Sequence, residues 1–196
     1  SKFGAKFKLK KNKNLPLIIS GSSKLKPIQW YENKGSAQCK SALIFAGMRT
    51  KGTTFIKAKK SRNHTELLCK YLKLPIKIKK TKNFDFIKIK KINKIKKLNY
   101  KIPSDISSSA FFIVLTALSK SSKLLIRNVN INPSRIGIYT ILKKMGINIK
   151  FKNKRIYKGE KNADLEIKST KHISPINCPA SLNTSAIDEF LVIFLI

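Results

Sequence analysis

Residues 36–74 carry the pattern that decides the fold, and they read SAQCKSALIFAGMRTKGTTFIKAKKSRNHTELLCKYLKL. The apolar run at Ala42–Met48 predicts a helix, and the stretch Thr53–Ala58 predicts a strand after a short turn. His64–Leu74 predicts a second helix. The order of helix, strand and helix within about forty residues is typical of α/β proteins, because a strand flanked by helices can be covered on one face of its sheet.

The same order recurs further along the chain. The apolar run Ala110–Leu118 and the strand-like stretch Lys123–Val129 repeat the first helix and strand, and a further helix ends at Met145. Two pairs of matching positions are each separated by 73 residues, Ser36 with Ser109 and Arg62 with Arg135. Elements that recur in the same order at one spacing indicate a duplicated structural unit.

Alternation of lysine with isoleucine marks the remaining strands. It occurs at Ile76–Lys79, Phe84–Lys90 and Ile147–Phe151, and Ala163–Lys168 is another candidate strand. Each unit thus reads helix, strand, helix and two or more strands, which predicts an α/β chain with mixed sheets. The two apolar runs are apolar on all sides, so their helices are expected to be buried.

Lysine dominates the charge of the chain. The sequence holds 43 Lys and Arg against 9 Asp and Glu, a formal net charge of +34. Such a charge alone points to nucleic acid or an anionic membrane. Only five of the basic residues are arginines, however, and Lys, Ile and Asn share A/T-rich codons, so a biased genome would give the same composition. We expect no nucleic-acid or membrane partner, and a lysine-rich nucleic-acid-binding protein stays an alternative.

The cysteines and histidines do not predict a metal site. Cys39, Cys69 and Cys178 lack the spacing of a zinc site or of a disulfide framework, and a reducing compartment suits them best. His64 and His172 have no acidic or cysteine partners at ligand spacing, so we interpret both as structural or surface residues. The apolar runs are too short to span a bilayer. A cytoplasmic location is the resulting prediction.

The chain begins without methionine and stops inside the apolar segment Phe190–Ile196. Seven exposed apolar residues at a chain end are uncommon, so we expect these 196 residues to be part of a longer protein. The alternative is that this segment docks in the core as a helix or strand.

Several residues have both a structural and a chemical interpretation. Asn63 and Glu66 have the spacing of a capping box, and Ser36 could simply cap the helix that follows it. Arg62 could be a solvated charge, or it could bind an anion beside a helix N-terminus. Asp188 could be a helix-start charge or a general base. Local sequence alone does not choose between these roles.

Five segments match the motifs of one enzyme family. In chain order, with the pattern of the family in parentheses, they are Ser36–Ala42 with Ala46-Gly47 (SAQxKSA…AG), Ser61–Glu66 (SRDHTE), Pro103–Phe112 (PGDISSAAFF), Arg127–Gly137 (RNVxxNPTRxG) and Ile187–Phe190 (IDEY). They resemble the 5-enolpyruvylshikimate-3-phosphate synthases, or 3-phosphoshikimate 1-carboxyvinyltransferases. The resemblance covers nearly the whole chain and corresponds to the middle of the family, a little under half of its length.

The resemblance implies the enolpyruvyl transferase fold. That α/β fold has six βαβαββ-type units with mixed sheets around buried helices, three units in each of two globular domains, and an active site between the domains. Residues 1–100 would form the end part of the first domain and residues 101–196 the start of the second, with both domains incomplete. The segment Tyr100–Pro103 would be a hinge. A full-length member is expected to be a cytoplasmic monomer.

The resemblance also implies a reaction and its residues. The family moves the enolpyruvyl group of phosphoenolpyruvate to the 5-hydroxyl of shikimate 3-phosphate and releases phosphate, without a metal or organic cofactor, in aromatic amino acid biosynthesis. Asp188 would accept the hydroxyl proton, Arg62 would hold the shikimate phosphate, and Gln38 would also reach phosphoenolpyruvate. The residues that match ligands of shikimate 3-phosphate are Ser36, Ala37, Gln38, Ser61, Arg62 and Asp188.

Some features depart from the family pattern. Ser104 replaces a glycine, Asn63 replaces an aspartate, and Leu191 stands where proline is common. The family's N-terminal Lys-Ser pair and its glycine-rich phosphoenolpyruvate loop have no counterpart in these residues, so the 196 residues alone are expected to be inactive. A sister enzyme that acts on a UDP-sugar is a second alternative, although the SAQ and SRxHTE segments favour shikimate 3-phosphate.

Overall fold

The structure is a computed structural model that describes residues 2–9 and 15–196. The chain divides into two compact units, Ser1–Lys97 and Leu98–Ile196. Each unit has its own hydrophobic core, formed where helices pack against a β-sheet. The assignment of these units to the two globular domains of a longer enzyme stays a prediction.

The first unit contains a complete βαβαββ sequence of elements. In chain order its elements are β1 (Lys6–Leu9), β2 (Leu17–Ser20), β3 (Gln29–Glu32), α1 (Ala37–Gly47), β4 (Thr53–Lys59), α2 (His64–Tyr71), β5 (Ile76–Lys80) and β6 (Phe84–Lys90). β1 and β2 form an antiparallel pair, and the larger sheet has the strand order β3-β4-β6-β5. β3 is parallel to β4, whereas the other neighbours are antiparallel, so the sheet is mixed as predicted.

The second unit repeats this topology with a reduced first strand. Its elements are α3 (Ile106–Leu118), β7 (Lys123–Asn130), α4 (Gly137–Lys144), β8 (Asn148–Tyr157), β9 (Glu160–Lys168), α5 (Asn183–Ala186) and α6 (Phe190–Ile193), with 3-10 turns at Ala180–Leu182 and Ile187–Glu189. The strand order is β7-β9-β8. Ser104 forms a parallel bridge with Val129, so it occupies the place that β3 has beside β4.

The predicted 73-residue spacing holds for the second helix of the repeat and fails for the first. α2 and α4 begin and end 73 residues apart, whereas the caps of α1 and α3, Ser36 and Asp105, do not keep this spacing. Asp105 accepts a hydrogen bond from the backbone N–H of Ser108 at 2.9 Å. This cap starts α3 one turn earlier than the match of Ser36 with Ser109 predicts, and Ser107–Ser109 lie inside the helix.

The alternation of lysine and isoleucine separates the core face of the first sheet from its solvent face. Isoleucine side chains such as Ile56 and Ile87 are buried on the helix side, while Lys57 and Lys88 are exposed. An antiparallel pair with this alternation can bury one face and leave the other in water. The predicted strands of both units are confirmed, and their ends shift by a few residues.

The burial expected for the two apolar helices holds on one side only. Ile44 of α1 and Ile113 of α3 lie in the cores, but Phe45 and Leu115 are exposed, as are the neighbouring side chains Phe111, Phe112 and Leu118. In the terminal segment, Val192 and Ile193 join the second core, so the docking alternative is correct for these residues. Within the described residues, no helix combines the length and apolar character required to cross a membrane.

Candidate active site

The candidate anion site begins at the parallel pair of β3 and β4. Glu32 at the end of β3 pairs with Ala58 near the end of β4, so both strands end at the same edge of the sheet. Each strand continues through a short loop into a helix, α1 or α2. A Cβ placed on Gly35 would lie 3.4 Å from the carbonyl oxygen of Lys60, so the two loops touch. The carboxyl edge of parallel strands is where α/β folds commonly bind ligands.

Hydrogen bonds and an ion pair fix both loops. The buried carboxylate of Glu32 accepts from the backbone N–H groups of Lys34 at 2.9 Å and Gly35 at 3.0 Å. Lys60 pairs with Asp85 of β6 at 2.5 Å. Loops anchored in this way lose little conformational freedom when they bind a ligand.

α1 and α2 are joined side by side near their N-termini. The hydroxyl groups of Ser41 and Thr65 share a hydrogen bond of 2.7 Å. Beside it, Lys40 Nζ lies 2.6 Å from Glu66 Oε1, and both side chains are almost completely buried. A buried pair loses hydration on both sides, so it adds little net stability, but removing one partner is strongly destabilising. The pair therefore keeps the two helix N-termini adjacent, with the positive ends of both dipoles at one edge.

The predicted capping box of α2 does not form. The Asn63 side chain makes no capping hydrogen bond with the helix. Glu66 pairs with Lys40 of the neighbouring helix instead of reaching back to the backbone of Asn63. A full positive charge in a buried site is a stronger partner for a carboxylate than a neutral backbone N–H group.

The N-terminus of α1 presents hydrogen-bond donors. Ser36 caps the helix, since its hydroxyl oxygen accepts from the backbone N–H of Cys39 at 3.2 Å. The Ser36 hydroxyl donates at 3.4 Å to Gln38 Oε1, a long bond that an anion can replace. The N–H groups of Ala37 and Gln38 belong to the first turn, where helix geometry offers no carbonyl partner. Such a terminus is suited to bind phosphate.

Ser61 and Arg62 belong to the adjoining loop before α2. The Ser61 hydroxyl is buried and has no hydrogen-bond partner among the described residues. An unpartnered buried hydroxyl is costly, so such a group commonly binds a ligand or water. Arg62 follows it and is half-buried, so its planar guanidinium can bind a phosphate in bidentate fashion.

Asp188 lies in the second unit, in the 3-10 turn Ile187–Glu189. Its Oδ2 is 2.8 Å from Nη1 of Arg135, and 44% of its side chain is exposed. An arginine that lies 53 positions away in the sequence therefore bonds this carboxylate. An exposed carboxylate held by a charge-assisted bond has a defined orientation and can accept a proton from a ligand.

Glu189, next to Asp188, is in a different environment. Its side chain is 2% exposed, and Ser107 donates a hydrogen bond to its Oε1. Burial raises the pKa of Glu189, and the charges of Asp188 and Asp105 raise it further, whereas Ser107 and Arg135 act in the opposite direction. Two adjacent acids thus differ in exposure, and only Asp188 is accessible to a ligand.

Glu189→Gln should raise the stability of the protein at pH 7 and leave it nearly unchanged at pH 4. In the folded state the pKa of Glu189 lies above its ordinary value of 4.5. Protonation of this side chain therefore contributes to folding stability, and the contribution is fully present below pH 4.5. This contribution is lost as the pH rises through the folded pKa. Glutamine stays neutral and can still accept from Ser107. Thermal unfolding at both pH values measures the difference.

Glu166→Gln provides a control of opposite sign. The hydrogen bond from Lys123, whose Nζ lies 3.2 Å from Glu166 Oε2, lowers the pKa of Glu166. The charged Glu166 side chain contributes to folding stability above its ordinary pKa and loses this contribution in acid. Glu166→Gln should therefore slightly lower the stability of the protein at pH 7. If Glu189→Gln also lowers the unfolding temperature at pH 7, the attraction of Arg135 outweighs burial at Glu189.

The cysteines of the first unit should differ in reactivity. Cys39 is exposed in the first turn of α1, whereas Cys69 is buried. Burial, and next the charge of Glu66, raises the pKa of Cys69 to about 11. Because the thiolate is the reactive form, an aromatic disulfide reagent at pH 8 should label Cys39 at least about 100-fold faster than Cys69. Peptide mapping of labelled native protein tests this, and equal rates in the native state would contradict it.

The candidate site residues therefore fall into two groups. Ser36, Ala37, Gln38, Ser61 and Arg62 lie at one edge of the first unit, and Asp188 lies in the second unit. No local sequence pattern indicates the contact between Arg135 and Asp188, which lie 53 positions apart. Among the described residues, no cluster of three or more His, Cys, Asp or Glu side chains could hold a metal ion.

Comparison with solved structures first defines the class of protein. The enolpyruvyl transferase NikO from Streptomyces tendae matches with a TM-score of 0.59 and 13% identity, over 86% of this chain and 40% of that chain. At this identity the likeness shows the fold alone. The EPSP synthase from Acinetobacter baumannii matches with a TM-score of 0.84 and 34% identity, over 98% of this chain and 43% of that chain. The chain therefore has the enolpyruvyl transferase fold.

The family follows from the sequence comparisons. The model of EPSP synthase (3-phosphoshikimate 1-carboxyvinyltransferase) matches residues 1–194, so the chain belongs to this family. The 3-phosphoshikimate 1-carboxyvinyltransferase of Legionella pneumophila strain Corby is 41% identical over 92% of this chain and 41% of its own length. The Zymomonas mobilis enzyme of the same name is 35% identical over 100% of this chain and 43% of its own length. The chain thus spans about two fifths of the relatives it matches.

Proposed function

We propose that the protein containing this chain transfers the enolpyruvyl group of phosphoenolpyruvate to the 5-hydroxyl of shikimate 3-phosphate and releases phosphate. Membership of the family supports this reaction. The observation that carries the proposal is the pairing of two helix N-termini at one sheet edge, with the SAQ segment on one and Ser61-Arg62 before the other. Both substrates are multiply anionic, and this edge offers backbone N–H groups, hydroxyl groups and a guanidinium.

Shikimate 3-phosphate is proposed to bind at this edge of the first unit. The N–H groups of Ala37 and Gln38 and the hydroxyl of Ser36 donate to the ligand, while Arg62 and the buried Ser61 hydroxyl bind its phosphate. Gln38 also reaches phosphoenolpyruvate. Each charge-assisted bond contributes about 1.5–3 kcal/mol. These roles rest on the match to the family motifs and on the donors present at the site.

Asp188 is proposed as the base of the reaction. The 5-hydroxyl oxygen adds to C2 of phosphoenolpyruvate, the carbon that bears the phosphate, while a proton is added to the methylene carbon C3 and the base takes the hydroxyl proton. In the elimination, phosphate leaves C2 and a proton leaves C3, which restores the double bond. An exposed carboxylate held by Arg135 is suited to take the proton. The proposal includes a cytoplasmic monomer that works without a metal or organic cofactor.

The test is a turnover assay on the complete gene product. Phosphate release should require phosphoenolpyruvate and shikimate 3-phosphate together, and mass spectrometry should show the enolpyruvyl product. Turnover with a UDP-sugar instead would favour the sister reaction. Absence of turnover, together with oligonucleotide binding that falls steeply with salt, would favour the nucleic-acid alternative.

A further inference from the structure

Arg135 is the centre of a charged cluster in the second unit. Its Nη1 bonds Asp188 Oδ2 at 2.8 Å, and its Nη2 lies 3.1 Å from Asp105 Oδ1 and 4.0 Å from Glu189 Oε1. Nη2 also donates to the hydroxyl of Ser107. The Arg135 side chain is 13% exposed, so most of it is shielded from water. One side chain thus joins the start of α3 to the turn that carries Asp188.

The loop before Arg135 fixes the direction of its side chain. Asn132 is 2% exposed, and its Oδ1 accepts from the backbone N–H of Ser134 at 2.9 Å. Its carbonyl oxygen accepts from the N–H of Arg135 at 2.8 Å. Its amide donates to Glu160 of β9 at 3.2 Å. The turn is therefore anchored to the sheet, and Arg135 starts from a rigid backbone.

Gly137 makes a second, independent contact with the segment that carries Asp188, residues 183–189. A Cβ placed on Gly137 would lie 2.4 Å from Ser185 Oγ and 2.7 Å from the backbone carbon of Ser185. Real Cβ atoms do not approach backbone atoms this closely, so a larger residue would displace the segment. The start of α4 therefore packs directly on α5 (Asn183–Ala186). Ser185, the residue in contact, lies three positions before Asp188.

We propose that Arg135 and Gly137 are positioning residues that set the orientation of Asp188. Arg135 holds one oxygen of the carboxylate while it is itself held by Asp105, and Gly137 fixes the backbone that leads to the turn. A misplacement of about 1 Å at a reacting group can lower a rate by about 100-fold. The inference rests on the proposed function, because it assigns a purpose to the geometry around the proposed base.

Arg135→Lys and Gly137→Ala test the proposal in the complete protein. Lysine keeps the charge but cannot bond two carboxylates with one planar fork. Each variant should lower kcat by about 10–100-fold, with the Kd for shikimate 3-phosphate changed less than about threefold. Arg155→Lys is the matched control in the same unit, since Arg155 is also an arginine paired with an aspartate, 3.6 Å from Asp164 of β9, and it donates to Asn128 of β7 at 2.7 Å. It should leave kcat within about twofold.

Amide hydrogen exchange gives a readout that does not depend on activity. Both variants should raise exchange in residues 183–189 selectively, with other core peptides of the second unit unchanged. Exchange and kcat within twofold of the parent would overturn the proposal. A uniform rise across the unit would also overturn it, because it would show a general structural role. If Asp188→Asn keeps its turnover, the base assignment fails, while the exchange data still decide whether Arg135 and Gly137 order this turn.

Discussion

Asp188→Asn is expected to lower kcat of the complete protein by about 10²–10⁴-fold, the usual contribution of a positioned general base. Asparagine has the same shape, and its amide oxygen can still accept from Arg135, so the turn should keep its structure. What it cannot do is accept the hydroxyl proton. Steady-state kinetics with both substrates saturating measures the effect, and titration calorimetry should show that shikimate 3-phosphate still binds.

Glu189→Gln is the matched control for this experiment. Glu189 neighbours Asp188 in sequence, but it is buried and bonded to Ser107, so it has no path to a ligand. Its replacement should change kcat far less than Asp188→Asn does. If Asp188→Asn turns over within a few-fold of the parent, the base lies elsewhere and Asp188 is a helix-start charge bonded to Arg135.

Local patterns were sufficient to predict most of the strands and α2. The alternation in Phe84–Lys90 predicts β6 with its observed ends, because one buried face imposes a period of two on any strand. β3 was not predicted, although Gln29–Glu32 contains two aromatic residues of high strand propensity. This omission matters, because the parallel pair of β3 and β4 brings the two helix N-termini together.

Contacts between distant residues could not be predicted in the same way. Asn63 and Glu66 have the spacing of a capping box, yet Glu66 finds Lys40 on another helix, 26 positions away. No local rule reveals that partner, because it depends on the packing of α1 against α2. The same holds for Arg135, which the motif alone presents as a turn residue and which the fold places against Asp105 and Asp188.

The family motifs assign roles to the candidate site residues where local sequence rules leave a structural and a chemical role open. Ser36 acts as the cap that its local sequence suggests, and its hydroxyl proton is also directed at Gln38, where a ligand could replace the bond. The two roles are compatible, because the hydroxyl oxygen accepts from the helix while its proton stays available to donate. The structural and the chemical interpretations of Ser36 therefore need not exclude each other.

Arg62→Ala should weaken binding of shikimate 3-phosphate to the complete protein by about 1.5–3 kcal/mol, or roughly 10–150-fold in Kd. The guanidinium is proposed to bond the shikimate phosphate beside two helix N-termini, and alanine removes the only full charge among these donors. Affinity of the free protein for phosphoenolpyruvate should change less, since Arg62 is assigned to the other substrate. Calorimetric titration with each substrate measures both effects.

Arg49→Ala is the matched control for a general effect of positive charge. Arg49 is exposed and follows the C-terminal end of α1, a helix of 11 residues whose N-terminus carries the candidate site. At about 1.5 Å per residue, it lies about 16 Å or more along the helix axis from that site. Arg49→Ala should therefore leave the Kd for shikimate 3-phosphate within about twofold. Equal losses in the two variants would show long-range attraction by a basic surface, and an unchanged Kd in Arg62→Ala would make Arg62 a solvated charge.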